Sequence, residues 1–470
     1  MNQIKQSPAG IQLIPQAPSP ATPCALAVAA ALLALTTVGA HAQTTDTPPV
    51  PQKVEKIEIT GSSIKRIDGE TALPVQVITR EDIIRGGSTN AAELLTKISA
   101  NAAALTDGAS FSDIAGQRGF SGANLRGIGV SSTLILLNGR RMANFASPGG
   151  ASGVDLNSIP TAAIERVEVL KDGASAIYGT DAISGVINFI TRRDYQGVDL
   201  SAYISDTKDG GAGKKIYTIS GGVGDLNKDK FNIFGVIDFQ DSETLRSTQR
   251  PGVGGSFIPA INLDVGSSNT NPANFRRLNA SGNPTGSRFN PSVPACNPPA
   301  TIFSPTSFVG ARACFYDYMQ DTEIFPASTR KSALARGQYA LSNEHTLFAE
   351  FTHTETETNY RISPLTVTNL NYPANGRFYP TATATLAGTT GPLRLNWRLS
   401  DGGGRTNDIE ATSERVLVGA KGLLAGWDYD TAFNYSTSEV NDRYVNGYVL
   451  TAPFNAAFAT GNINPFGPQD

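Results

Sequence analysis

Side chains able to do chemistry are scarce in this chain, and their spacing suits little of it. Of three histidines, His41 lies in a segment expected to be removed on export. His345 falls in a turn between two alternating segments, and His353 lies within one of them. No G-x-S-x-G, H-E-x-x-H or P-loop pattern occurs, so nucleophile–base pairs, zinc hydrolysis and phosphate cradles are all without support. A secreted enzyme is therefore the weaker reading, and neither a cofactor nor a metal is expected. Thirty-eight basic and 41 acidic residues leave a formal charge of −3, which is not the basic surface a nucleic-acid binder needs.

The cysteines are informative through their compartment. Residues 1–42 have the layout of an export signal: a polar region with Lys5, the apolar run Ala25–Val38, and Ala40-His41-Ala42 as an A-x-A cleavage site. That run is shorter than the ~20 apolar residues that a membrane-spanning helix needs. Cys24 precedes the run and goes with the leader. An exported chain would then keep Cys296 and Cys314, which are expected to pair as a disulfide. Closing such a loop would stabilise by ~3 kcal/mol in the chain-entropy model; two free thiols are the alternative. No later segment is apolar for long enough to be a membrane helix. Periplasm, secretion or an outer-membrane barrel remain.

The elements that must position any site divide into three stretches. Residues 43–70 form a polar, Pro-rich tether, QTTDTPPVPQK, followed by the short alternating run Val54–Thr60 (VEKIEIT). This run has a strand's pattern and no partner nearby in sequence. It suits addition to another protein's sheet edge, or pairing within its own domain. Residues 71–197 read as a compact α/β domain. Strands are expected at Leu73–Ile78, Thr133–Leu137, Arg166–Leu170 and Gly185–Thr191, with one helix capped by Thr79 and ending at Gly86-Gly87. A second helix, capped by Ser88 or Thr89, would run to about Ile98, and a further short one would open at Ser158 with Pro160. Two Gly-rich stretches, Thr106–Ala123 and Met142–Val154, are either binding loops or simple connectors.

From residue 198 to 470 the pattern changes to long alternation: Val198–Ile204, Lys214–Gly224, Lys230–Gln240, Arg330–Ala340, Thr346–Tyr360, Ile409–Leu424 and Trp427–Arg443. In the last, Trp427, Tyr429, Thr431, Phe433 and Tyr435 share one face, and Asp428, Asp430, Ala432, Asn434 and Ser436 share the other. Apolar-out, polar-in alternation over ~10 residues is the mark of a transmembrane β-barrel. The joins Asp225–Asp229, Leu341–His345 and Ala425–Gly426 are short, whereas Asp241–Thr329 and Arg361–Asp408 are long. Short turns on one side and long loops on the other match periplasmic and extracellular ends. Both cysteines then sit in the largest outer loop.

Residues 54–197 resemble the N-terminal part of TonB-dependent outer-membrane receptors. The resemblance is carried by LRGIGVSSTLILLNGRRM (Leu125–Met142) and VDLNSIPTAAIERVEVLKDGASAIYGTDAISGVINFITR (Val154–Arg192). One departure is Lys171-Asp172-Gly173, where many members have Arg-Gly-Pro. The resemblance implies an α+β plug domain inside an antiparallel transmembrane β-barrel of about 22 strands, of which about seven are present here. It implies that the inner-membrane TonB protein, with ExbB and ExbD, supplies the energy. Val54, Glu55, Lys56, Ile57, Glu58, Ile59 and Thr60 would be the TonB box. The receptor would sit as a monomer in outer-membrane lipid, bind a scarce small molecule such as a siderophore, a vitamin or an oligosaccharide, and import it to the periplasm; no nucleic acid is expected.

The same resemblance places Arg126 and Arg166 where plug arginines pair with barrel carboxylates and lock the plug; pairing inside the plug, with Glu165 or Glu168, is the alternative. Ligand capture would fall to Phe111, Arg118, Phe120, Asn144 and Phe145 of the apical plug loops. Seven strands do not close a barrel, and Asn462–Asp470 reads as loop, so the chain is expected to be a truncated receptor. A passive porin or adhesin that kept its plug, and a decayed gene product, are the competing readings.

Overall fold

The computed structural model describes residues 75–102, 119–147, 153–172, 174–250, 252, 254–261, 263–303 and 312–468. The export signal, the tether, the Val54–Thr60 run, Phe111 and Arg118 lie outside the described residues.

Thr133–Leu137 (TLILL) and Gly185–Thr191 (GVINFIT) are buried along their whole length, as continuous apolar runs are when both faces of a sheet are covered. They pair in parallel at the centre of a five-stranded sheet. With β1 (Val75–Thr79), β2 (Thr133–Leu137), β3 (Arg140–Arg141), β4 (Ile164–Leu170) and β5 (Gly185–Thr191), the strand order is β1-β4-β5-β2-β3. Helix α1 (Arg80–Gly86) starts at a capping box, in which the Thr79 side chain accepts from the Asp82 N–H, and it ends at Gly87 with φ 63°. Helix α2 (Ala91–Thr96) differs from expectation at its start. Its cap is Asn90, which accepts from the Glu93 N–H at 2.7 Å, because Thr89 turns instead to donate to the Glu93 carboxylate. The helix expected at Ser158 is two short 3-10 turns, Leu156–Ser158 and Thr161–Ala163. Leu95, Ile98, Leu125, Val167, Ile187 and Phe189 fill the core between helices and sheet.

All seven expected long strands form. β6 (Gly197–Ser205), β7 (Lys214–Val223), β8 (Phe231–Ser242), β9 (Ala327–Ala340), β10 (His345–Ile362), β11 (Arg405–Leu424) and β12 (Trp427–Asn446) make one antiparallel sheet in sequence order. Period-two alternation sets its faces. Val198, Leu200, Ile237, Val418 and Phe433 stand exposed on the outer face, while Asn434, Ser436 and Ser438 of β12 point inward to the five-stranded domain. The β11–β12 turn is Ala425-Gly426, both at positive φ, as a two-residue type I′ hairpin requires. No described helix is long and apolar enough to cross a membrane.

The long joins were expected to be loops, and here the structure departs from the sequence reading. They fold together into a cap. Strands Asn274–Leu278 and Pro284–Phe289 of the first join combine with Thr366–Tyr372 and Leu393–Arg398 of the second in a four-stranded sheet. Helix Thr451–Ala459 and the following residues close over one face, so that Phe275, Tyr372, Leu395, Trp397 and Phe458 share a core that Ile463 and Phe466 pack against. The Tyr372 hydroxyl donates to the Gly461 carbonyl at 2.7 Å and accepts from the Phe378 N–H at 3.0 Å. Cys296 and Cys314 are bonded within the first join.

Phe458 is 3% exposed and touches Tyr372, Trp397 and Phe454. Phe458→Ala should cost the cap about 3–5 kcal/mol. Limited proteolysis should then cut the long joins early while the strand sheet keeps its protection; equal resistance of the variant and the parent would show that the cap is no cooperative unit.

Candidate functional site

The seam between the five-stranded domain and the inward face of the long sheet is where described polar side chains converge. Leu137-Asn138-Gly139-Arg140 is a tight hairpin with Asn138 at φ 52° and Gly139 at φ 78°. Asn-Gly supplies the two left-handed positions of a type I′ turn at little cost. The turn aims the Asn138 amide outward. Its Nδ2 donates to Glu350 Oε1 at 2.8 Å and to Thr191 Oγ1 at 3.0 Å, and its Oδ1 accepts from the Thr191 N–H at 3.0 Å.

Glu350 sits mid-strand on β10, with its side chain 5% exposed. Arg336 is directly opposite on β9, its Nε 3.5 Å from Glu350 Oε1. Arg415 on β11 donates to Glu350 Oε2 at 2.9 Å, and its side chain is fully buried. Arg415 also donates to Asn434 Oδ1 of β12 at 3.0 Å and to the Leu137 carbonyl at 3.4 Å, and Arg336 donates to Thr191 Oγ1 at 3.3 Å. The hydrogen-bonded charges Glu350, Arg336 and Arg415 all belong to the long sheet. To their hydrogen bonds the domain inside it contributes an amide, a hydroxyl and a carbonyl, and its Arg193 guanidinium lies within electrostatic reach of Glu350 and Arg336.

Toward the long-join end, neutral contacts continue. The Ser158 carbonyl accepts from Thr354 Oγ1, the Ala143 N–H donates to Ser436 Oγ at 2.9 Å, and the Gly119 N–H donates to the Tyr360 hydroxyl at 3.1 Å. Three ion pairs cross the seam: Arg140–Asp430 at 2.5 Å, with side chains 31% and 57% exposed, Lys214–Glu93, and Arg192–Asp199 at 2.9 Å, where the arginine side chain is only 10% exposed. Solvent-exposed pairs are worth ~0–1 kcal/mol.

The residues singled out from sequence fall elsewhere than expected. Arg166 Nε donates to Glu168 Oε1 at 2.8 Å within β4. Residues two apart on a strand share a face, so Arg166 meets Glu168 without leaving its own sheet. Arg126 donates to the Ile183 carbonyl at 2.8 Å and lies 4.0 Å from Asp172, also inside the domain. Neither arginine makes the expected ion pair with a barrel-wall carboxylate among these contacts. Phe120 and Phe145, expected as exposed ligand contacts, are 0% and 5% exposed. Their rings lie 5.2 Å apart and pack on Ala411 of the long sheet as an apolar wedge. Asn144 is exposed. Asn138, Arg336, Glu350 and Arg415 were missed, although charges at inward positions of β9, β10 and β11 could have drawn attention once the faces were assigned. Among the described residues no group of His, Cys, Asp and Glu is placed to hold a metal.

A globular stopper hydrogen-bonded along the polar face of a sheet whose other face is apolar defines a plugged β-barrel wall. Residues 68–186 match the family model described as the TonB-dependent receptor plug domain. Within this chain, that stretch holds most of the five-stranded domain described above. Among solved structures it is similar to a mutant of the ferric enterobactin receptor of Pseudomonas aeruginosa, at 15% identity and TM-score 0.42, covering 78% of this chain and 41% of that one. It is also similar to the siderophore receptor PiuA of Acinetobacter baumannii, at 14% identity and TM-score 0.38, covering 79% and 46%. A third is the ferric citrate transporter FecA, at 12% identity and TM-score 0.39, covering 79% and 48%. The chain thus spans less than half the length of each of these three.

Removing the carboxylate at the centre of the seam tests the arrangement. Glu350→Ala leaves the Arg336 and Arg415 guanidiniums buried without it, and losing one partner of a buried pair costs about 3–5 kcal/mol. The barrel wall itself should lose thermal stability by that amount in calorimetry. A wall that melts as before would mean that these charges are solvated.

Proposed function

We propose that this chain provides the plug and part of the barrel wall of an active-transport receptor in the Gram-negative outer membrane. The receptor binds a scarce solute (a siderophore, a vitamin or an oligosaccharide) and passes it to the periplasm when TonB, driven by ExbB and ExbD, pulls on the Val54–Thr60 run. The segment 1–42 directs export and 43–70 is the tether. Strand addition suits such a handle, since main-chain bonds of an extended peptide carry the affinity. An outer membrane has no nucleotide supply, so the work must arrive mechanically.

The observation that carries this reading is the character of the seam. The buried ion pairs at its centre close within the wall, and the hydrogen bonds that reach the plug there end on neutral donors and acceptors. A neutral hydrogen bond exchanged for one to water changes stability by ~0.5–1.5 kcal/mol, whereas stripping a buried charge of its partner costs ~3–5 kcal/mol. A plug held in this way can be moved in small steps by a weak pull. A permanent stopper would gain from the opposite arrangement.

The apical surface that meets ligand includes Asn144, with Phe111 and Arg118 as further candidates from the same loops. Phe120 and Phe145 act instead as the wedge that seats those loops on the wall. The disulfide between Cys296 and Cys314 braces the outer cap.

Deleting residues 54–60 from the receptor distinguishes driven from passive transport. Cells would be offered radiolabelled iron–siderophore complexes, cobalamin and maltodextrins. Whichever solute the parent accumulates should fall to background in the deletion strain, with receptor abundance unchanged. Accumulation that persists would make the protein a passive pore.

A further inference from the structure

A small cavity opens in the seam beside Glu350. It is about 50 Å³ in volume, and Asn138, Arg140 and Arg193 of the plug line it together with Arg336, Gln338 and Glu350 of the wall. Holding one water takes ~10–15 Å³, so there is room for several atoms of that size. Lys421 and Asp430, opposite each other on β11 and β12 near the Ala425-Gly426 turn, also line it. The cavity therefore lies toward the short-turn side of the wall, away from the cap.

The charges around it do not balance. Arg140 is paired with Asp430, and Arg166, which stands near Arg193, is paired with Glu168. Arg336 and Arg415 share Glu350. Arg193 and Arg336 are both within electrostatic reach of Glu350 and of Asp194, but Arg193 forms no hydrogen bond or ion pair among the described residues. Three guanidiniums thus face two carboxylates, with one positive charge in surplus. The surplus stands without Lys421, which is engaged with neighbours of its own. A second observation points the same way. The Arg336 side chain is 7% exposed, and its Nε, although 3.5 Å from Glu350 Oε1, has no hydrogen-bond partner. A buried N–H without an acceptor is costly, and so is a buried cation in excess of its partners. An anion in the cavity would relieve both, and the exposed Arg193 side chain gives it a way in.

We propose that a small inorganic anion, of the size of chloride or phosphate, binds in this cavity and bridges Arg193 of the plug to Arg336 of the wall. Both guanidiniums present fixed N–H donors, and charge-assisted bonds to one shared anion join two groups that repel each other without it. Such an ion is a releasable latch. It adds a charged contact across the seam, and when the plug shifts it diffuses away and leaves no carboxylate stranded in the interior. The inference goes beyond the transport reading, because it concerns a resident ion and holds whichever solute is carried.

The purified receptor in detergent would be titrated with sodium chloride and with sodium phosphate, each replacing sodium gluconate, whose anion is too large for the cavity, at fixed ionic strength. The rate at which protease cuts the plug is the readout, since an ion that binds only the seated plug stabilises it by mass action. At least one of the two anions should slow cutting with a saturable dependence. Arg193→Gln should raise the concentration for half effect about tenfold or more, as expected for loss of one charge-assisted contact, and Arg193→Lys should raise it less. Phosphate also strengthens folded states by exclusion from their surface, so the difference between parent and variant is what counts. In gluconate alone Arg193→Gln should be cut no faster than the parent, because it removes a repulsion, and this separates lost binding from lost folding. No uptake is measured, so failure here is distinguishable from failure of the transport reading. The proposal is overturned if neither anion protects the parent, as for a cavity that holds only water, or if Arg193→Gln responds as the parent does. It is equally overturned if Arg193→Gln is cut faster in gluconate, which would give Arg193 a carboxylate partner of its own.

Discussion

The central interaction is a carboxylate that pairs with two arginines of its own wall and accepts from one amide of the plug. Glu350 takes Arg336 and Arg415 from the strands on either side, and the single contact that it makes with Asn138 crosses the seam. Three buried charges are costly in any protein interior. Keeping these three on the wall means that the cost is met by the fold of the wall itself and would not recur if the plug were displaced. The polar inward face of β12 extends the same rule, offering Asn434, Ser436 and Ser438 to backbone groups of the plug.

Around that centre the other features take their places. The apolar wedge of Phe120 and Phe145 against Ala411 seats the plug toward its apical end. Burying such side chains is worth ~1.5–3 kcal/mol each, so the wedge is a stronger anchor than any single hydrogen bond of the seam. The crossing ion pairs Arg140–Asp430 and Lys214–Glu93 are open to solvent, where salt screens them, whereas Arg192–Asp199 joins the end of the plug to β6 through a buried arginine. The plug is thus fixed by shape and apolar contact at one level and by exchangeable polar contacts along the rest. The aromatic cap, built from three separate stretches of chain, adds a folded unit to the same molecule.

Much of this was legible in the sequence wherever a residue's fate depends on its near neighbours. Alternation in Trp427–Tyr435 fixed the faces of β12. The runs Thr133–Leu137 and Gly185–Thr191 marked two of the strands. What escaped depends on partners far along the chain. Phe120 and Phe145 read as exposed loop residues because the surface that covers them, around Ala411, arrives more than 250 residues later. Phe275 pairs with Leu395, so two apparent loops become one sheet, and neither has a strand pattern long enough to announce it. The ion cluster at Glu350 depends on the register of three strands, and period-two patterning gives the face of a charge but not its partner. Arg166 met Glu168 because the nearest acceptor on its own strand was already in reach.

The most direct measurement is single-molecule pulling on the N-terminal tether of the receptor held in a bilayer, with the force at which the plug first yields as the readout. The account predicts that Asn138→Ala lowers this force and that Arg166→Gln leaves it unchanged, with the barrel folded in both. A plug loosened by Arg166→Gln and indifferent to Asn138→Ala would place the lock on the plug's own arginines and contradict it.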